Sequence, residues 1–196
     1  MNTLTKVASA VIVALALSQT QTIRAVPITG NIGFTGGVTY NTPSAGTATQ
    51  VTSWITPTVS LAPSGTFSSI VPGSAATFAN VIWNFNTAVP IFNFWSVGGF
   101  SFELLSSSIV VQGGGALGYV VVNGSGIVTS SNPAYDPTTI SWSFSSQDPK
   151  IGTNPDTWTF SASANSFRTV PDGAHTVLLL GFALSGMALL RRKLVV

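Results

Sequence analysis

Cysteine is absent from this 196-residue chain, which removes thiol catalysis, Cys-ligated metals and disulfide crosslinks together. Charge is scarce as well: Asp, Glu, Lys and Arg make up 6% of the residues. The single histidine, His175, lies near the C-terminus, so a Ser-His-Asp triad within the body is excluded. Of the cations, Lys6, Arg24, Arg191, Arg192 and Lys193 sit in the terminal segments. Between residues 26 and 168 only Lys150 and Arg168 face Glu103, Asp136, Asp148 and Asp156. The formal net charge of +2 is therefore a property of the ends. A body without a basic patch has nothing to hold a nucleic-acid backbone, and nucleic acid is excluded as a partner.

A helical period is also missing between the ends, and alternation takes its place. From Ile28 to Tyr40 the even positions Ile28, Ile32, Phe34, Val38 and Tyr40 are apolar. Phe92, Phe94, Phe100, Phe102 and Leu104 repeat the pattern across a Gly98-Gly99 kink, as do Ile140, Trp142 and Phe144, and then Trp158, Phe160 and Ala162. A period of two puts each set on one face of a strand. Breakers such as Pro43, Pro57, Pro63, Pro72, Pro90, Pro133 and Pro137 arrive at strand-like spacing. The expected fold is all-β, an antiparallel β-sandwich or jelly roll over residues 26–168. Asn123-Gly124 in YVVVNGSGIV suits a type I′ hairpin turn. WSFS (Trp142–Ser145) and WTFS (Trp158–Ser161) are expected to pair as a second hairpin.

The outward positions are mainly Ser, Thr and Asn rather than Lys and Glu, a hydrated surface with little charge repulsion, suited to a crowded or matrix setting. Chemistry is hard to place on it. Glu103 lies between inward Phe102 and Leu104, and Asp136, Asp148 and Asp156 each neighbour a proline, where Asp commonly stabilises turns. Glu103 is expected to point to solvent from a strand and the three Asp residues to form turns, rather than to make a glycosidase pair. Asp148, Asn154 and Asp156 share a loop but lack the spacing of a calcium loop, and QGGGALG lacks the ending of a phosphate loop. No catalytic residue, metal or cofactor is expected. Trp142 and Trp158 share parity with Phe144 and Phe160 and are expected in the core. Trp95, opposite in parity to Phe94, is expected to present an exposed ring that could contact a glycan.

The ends differ in kind from the body. Lys6 precedes an 11-residue apolar run, Val7–Leu17, followed by SQTQT and then Ala25. These are the parts of a secretory signal, too short to span a bilayer. Cleavage is expected after Ala25, giving a 1–25 signal peptide, with Ala16 as the alternative. At the other end, Ala174–Leu190 is a 17-residue apolar run, about 25 Å long as a helix at roughly 1.5 Å per residue. Arg191, Arg192 and Lys193 follow it and would stay on the cytoplasmic side of a membrane. Ahead of it stand Val170, Pro171, Asp172 and Gly173, where Pro171 prevents helix continuation and leaves accessible backbone.

The motif 170–173, the span 174–190 and the basic tail 191–196, in that order, resemble the PEP-CTERM class of bacterial sorting signals, specifically its VPDSG-CTERM variant. Gly173 stands where that variant has Ser, and Ala174 where it has Gly. The body segments NFWSVGGFSFELLSS and WSFSSQDP are similar to those of small proteins carrying this signal, a likeness that implies no activity. The resemblance implies that an exosortase-type membrane enzyme reads residues 170–173 and cuts nearby. The protein would then be exported, held briefly in the inner membrane by its C-terminal helix, and passed to the envelope, cell surface or extracellular matrix. The expected role is non-enzymatic; the alternative is a carbohydrate-binding module whose partner is envelope glycan or exopolysaccharide.

Overall fold

The computed structural model describes residues 25–60, 62–114, 117–149 and 158–166. The signal segment 1–24, Val170–Gly173, the span 174–190 and Arg191, Arg192 and Lys193 lie outside the described residues, as do Asn154 and Asp156. In chain order the strands are β1 (Val26–Pro27), β2 (Gly30–Tyr40), β3 (Gln50–Val59), β4 (Thr77–Phe78), β5 (Trp83–Asn84) and β6 (Ile91–Val97). They continue with β7 (Phe100–Gly113), β8 (Tyr119–Ser130), β9 (Tyr135–Asp136), β10 (Thr138–Gln147) and β11 (Trp158–Ser166).

The all-β, antiparallel expectation holds, but the strands do not divide into two stacked sheets. Among the described residues nine of them form a single hydrogen-bonded sheet in the order β4-β6-β7-β8-β10-β11-β2-β3-β5. The sheet is strongly curled into a half-barrel. Register shifts between Thr35 and Gly37, Thr39 and Tyr40, Leu104 and Ser106, and Ile109 and Val111 supply bends, because a bulge increases local twist and turns a strand. Thr56, at φ 43°, marks the first of these. Pro57 therefore lies inside β3, at a bulge, rather than ending a strand as a breaker would.

Curling brings the two ends of the sheet face to face. Phe34 on β2 meets Trp95 on β6 at 5.1 Å between ring centroids, although four strands separate them in the sheet order. Trp54 on β3 meets Phe78 on β4 at 4.4 Å, and Phe94 on β6 meets Trp142 on β10 at 5.4 Å. Each such pair adds about 0.5–1.5 kcal/mol beyond the burial of its area. The open side is crossed by the segment from Gly73 to Asn84. Its start bonds to β3 through Val59 N to Ser74 O and Ala76 N to Pro57 O. It then pairs with β6 as β4 and returns to β3 as β5.

Two turns expected from the sequence are exchanged. Asn123-Gly124 is no turn: β8 runs through it, with Asn123 paired to Ser108 on one side and Ser143 on the other. The tight turn is Gly98-Gly99, read above as a kink, which joins β6 to β7 with φ of 57° and 82°. Both central residues at positive φ are what a type I′ hairpin requires. The glycines of β8 serve packing instead. A methyl group on Gly126 would lie 2.6 Å from the Phe102 ring and collide with the Glu103 carbonyl. The β10–β11 hairpin forms as expected, with Phe144 opposite Ala162 and Ser145 opposite Ser161.

Strand parity also breaks on β6. Asn93 adopts φ 50°, and the β6–β7 register shifts between Ile91 and Trp95. The bulge turns Phe94 and Trp95 both inward and leaves Phe92 72% exposed, so Phe92 does not join the inward set.

These features separate turn glycines from packing glycines in solution. Gly126→Ala is expected to destabilise the fold by about 1–3 kcal/mol, the usual cost of overpacking. Asn123→Thr, on an exposed strand position, is expected to stay within about 0.5 kcal/mol of wild type. Urea denaturation monitored by circular dichroism checks both; a type I′ turn at 123–124 would reverse the order.

Candidate functional site

The alternation that fills the concave face with aromatics necessarily lines the convex face with the residues between them. Register aligns these into rows. Ser106, Ser125, Ser141, Asn165 and Asn31 lie side by side across β7, β8, β10, β11 and β2. Ser108, Asn123, Ser143 and Ser163 form the next row, and Val121, Ser145, Ser161, Thr35 and Thr58 another. Some hydroxyls bond within the face: Ser106 Oγ to Ser125 Oγ at 3.2 Å, and Thr35 Oγ1 donating to Phe160 O at 3.2 Å. These three rows carry hydroxyl and amide groups, with Val121 among them, and no charged side chain.

At one end this surface dips into an open groove of about 430 Å³ lined by Thr35, Tyr119, Ser145, Gln147, Thr159 and Ser161, among others. Of its two aromatic lining residues, Phe160 is buried and Tyr119 is 40% exposed. Its ring lies across Gly113, its partner on β7, so closely that a methyl there would sit 2.8 Å from Cε1. A second groove crosses β4, β6, β7 and β8, where Asn93 Oδ1 accepts a 2.6 Å bond from Ser101 Oγ. It too is lined by serine, threonine and glycine, without an exposed ring.

The end of the Tyr119 groove is held by a carboxylate that does more than shape a turn. Asp148 Oδ1 accepts from the Ala45 amide at 2.8 Å and from Trp158 Nε1 at 2.9 Å. Its Oδ2 accepts from Ser44 Oγ at 2.7 Å and from the Gly118 amide at 3.1 Å. The Asp148 amide in turn donates to Gly118 O at 2.7 Å. One side chain thus ties the β2–β3 loop, the start of β8 and the start of β11 to the end of β10. Asp148, Gly118 and Trp158 each adjoin a groove residue, respectively Gln147, Tyr119 and Thr159. Partial burial acts to raise the carboxyl pKa, but the donors Ser44, Ala45, Trp158 and Gly118 together outweigh it and hold the value below the ordinary carboxylate range. Nearby, burial pushes the Tyr40 phenol well above its usual range, and its hydroxyl has no hydrogen-bond partner among the described residues.

The residues singled out from sequence fall differently. Trp95 is 0% exposed, stacked on Phe102 at 5.4 Å, so it offers no ring to a glycan. The Asn93 bulge that turned it inward is invisible to a parity count. Trp83 bonds Ser107 through Nε1, whereas the indole N–H groups of Trp54, Trp95 and Trp142 lack an acceptor among the described residues. Glu103 occupies the convex side between buried Phe102 and Leu104, as expected. Asp136 lies in β9, which pairs in parallel with β1. Tyr119 was legible in principle, since it has the opposite parity to Val120 and Val122. The sorting residues Val170, Pro171, Asp172, Gly173, Arg191, Arg192 and Lys193 are outside the described residues.

The depressed Asp148 pKa makes acid stability a readout of the clamp. A folded-state pKa below the unfolded value of about 3.8 means stabilisation that is complete above that value and lost as pH falls through the folded pKa. Asp148→Ala is expected to cost at least about 2 kcal/mol near neutrality, since hydrogen bonds to a charged group are among the stronger ones. Asp148→Asn should also flatten the acid limb of stability. Urea unfolding from about pH 7 down to about pH 2 measures both, and an unchanged acid limb in Asp148→Asn would show that the clamp is not the titrating group.

Comparison with protein-family models, curated proteins and solved structures returns no match for this chain.

Proposed function

We propose that this is a non-enzymatic exported protein of the bacterial cell surface or extracellular matrix, delivered as the substrate of an exosortase-type membrane enzyme. The observation that carries the reading is the order of features at the C-terminus: Val170-Pro171-Asp172-Gly173, an apolar run over 174–190, then Arg191, Arg192 and Lys193. An apolar segment closed by cations resists complete translocation, and a proline-bearing stretch just outside it is accessible to a processing enzyme. The N-terminal cationic and apolar segments supply export. The body suits the destination, because its convex face is hydrated by hydroxyls and amides rather than by charge. A non-enzymatic role is favoured by the occupation of Asp148, whose two oxygens are both engaged by donors.

A second reading, a carbohydrate-binding module with the same address, is favoured by the uncharged hydroxyl face and its exposed tyrosine. Sugar rings present hydroxyls for hydrogen bonding and C–H faces for aromatic contact, and this surface offers partners for both.

Mass spectrometry of the protein from its native host tests delivery. A new C-terminus within or next to residues 170–173 is the expected result, and Pro171→Ala with Asp172→Ala should abolish it. An intact RRKLVV tail on the surface-exposed protein would overturn processing and leave a plain membrane anchor.

A further inference from the structure

We infer that the Tyr119 groove is a binding subsite for a neutral polysaccharide, with Tyr119 stacking on one sugar ring and the hydroxyls of β10, β11 and β2 bonding to its neighbours. The inference rests on the carbohydrate-binding reading above and gives it a location other than Trp95.

Three features converge on this groove. The first is a ring that is both exposed and braced. Tyr119 lies on Gly113 of the neighbouring strand, and the following strand end is fixed through the Gly118–Asp148 contacts. A braced ring loses little freedom when a ligand stacks on it, so less of the contact energy is spent on ordering. The second is the chemistry beside it. Thr35, Ser145, Gln147, Thr159 and Ser161 provide hydroxyl and amide groups that both donate and accept, matching the hydroxyls of a sugar. Several already have their protons directed to backbone carbonyls, as Ser145 Oγ to Ser161 O at 3.4 Å and Thr35 Oγ1 to Phe160 O, which leaves oxygen lone pairs facing outward as acceptors.

The third is charge. Among the described residues, none that lines the groove carries one. The described lining thus offers no cation to hold a uronate or a sulfate ester, and the nearest described carboxylate, Asp148, already has both oxygens engaged by donors. An anionic polymer would lose hydration there without compensation, so the neutral polymer is the matched occupant. The shape agrees: the groove is open and shallow, and continues into rows of serine and asparagine along the sheet, which suits a chain passing over the surface better than a small molecule enclosed in it. Phe92, the other strongly exposed aromatic residue among those described, lies on β6 and lines neither groove. It therefore serves as a control of similar chemistry.

Affinity electrophoresis of the full-length protein in mild detergent, through native gels containing hydroxyethyl cellulose, galactomannan or alginate, tests the inference. Retardation by at least one of the neutral polymers and not by alginate is expected. Tyr119→Ala should weaken it about tenfold, the equivalent of roughly 1.4 kcal/mol, with Tyr119→Phe retaining most of the affinity. Gly113→Ala, which displaces the ring but keeps the tyrosine, should weaken binding as well, while Phe92→Ala should not. Tryptophan emission of each variant reports whether the aromatic core is intact. Retardation that survives Tyr119→Ala but is lost in Phe92→Ala would overturn this site and keep the carbohydrate reading. Retardation by alginate alone would overturn the neutral ligand. No retardation by any of the three polymers would overturn the site and the carbohydrate reading together, leaving the sorting reading to its own mass-spectrometric test.

Discussion

A sheet with one greasy face needs something to cover it, and among the described residues only the two-residue strands β1 and β9, and no long helix, accompany this one. The concave face carries Phe34, Phe94, Phe102, Phe144, Phe160 and four nearly solvent-free tryptophans. Their burial is the dominant favourable term available to a domain without disulfides. It can be realised only if the sheet bends until its own ends meet. The bulges, the interior glycines and the crossing segment all serve that requirement. Phe34 touching Trp95 across four intervening strands is its clearest mark.

The same constraint fixes the outer surface. With every second side chain committed inward, the residues left outside form rows by register, in which Ser, Thr and Asn predominate because the sequence places them there. Asp148 is the exception that organises one end. Its two oxygens gather donors from three separate stretches of chain, among them the residues just before Tyr119 and Thr159. The groove is therefore a built feature of the strand ends rather than an accident of loop placement.

Much of this was readable from spacing. The inward sets of β2, β7, β10 and β11 follow the period of two, and the β10–β11 hairpin follows from the paired Trp-x-Phe runs. What spacing missed has physical causes. Asn123-Gly124 has turn chemistry, but ladders on both sides of β8 and the Phe102 ring above Gly126 outweigh local preference. Gly98-Gly99 has equal turn chemistry and nothing to outweigh it. Trp95 and Phe92 exchanged places because β6 carries two extra residues between Ile91 and Trp95 relative to β7, around Asn93 at positive φ, and a parity count cannot register an insertion. Two sheets rather than one curled sheet were expected because alternation specifies which face is buried, not what buries it. Asp148 looked like a turn former because its partners, Ser44, Gly118 and Trp158, are scattered along the sequence and meet only in the fold.

The crossing segment between Gly73 and Asn84 has a bearing on life at high concentration. Nearly uncharged sheets tend to polymerise by adding strand to strand along unpaired backbone. Here the outermost partners are only two residues long on each side, β4 and β5. Both belong to the same short stretch, which also occupies amides and carbonyls of β3 on its way. One piece of chain thereby seals both rims. A neighbouring copy thus meets fewer unpaired strand edges, a safeguard that charge would otherwise have to provide.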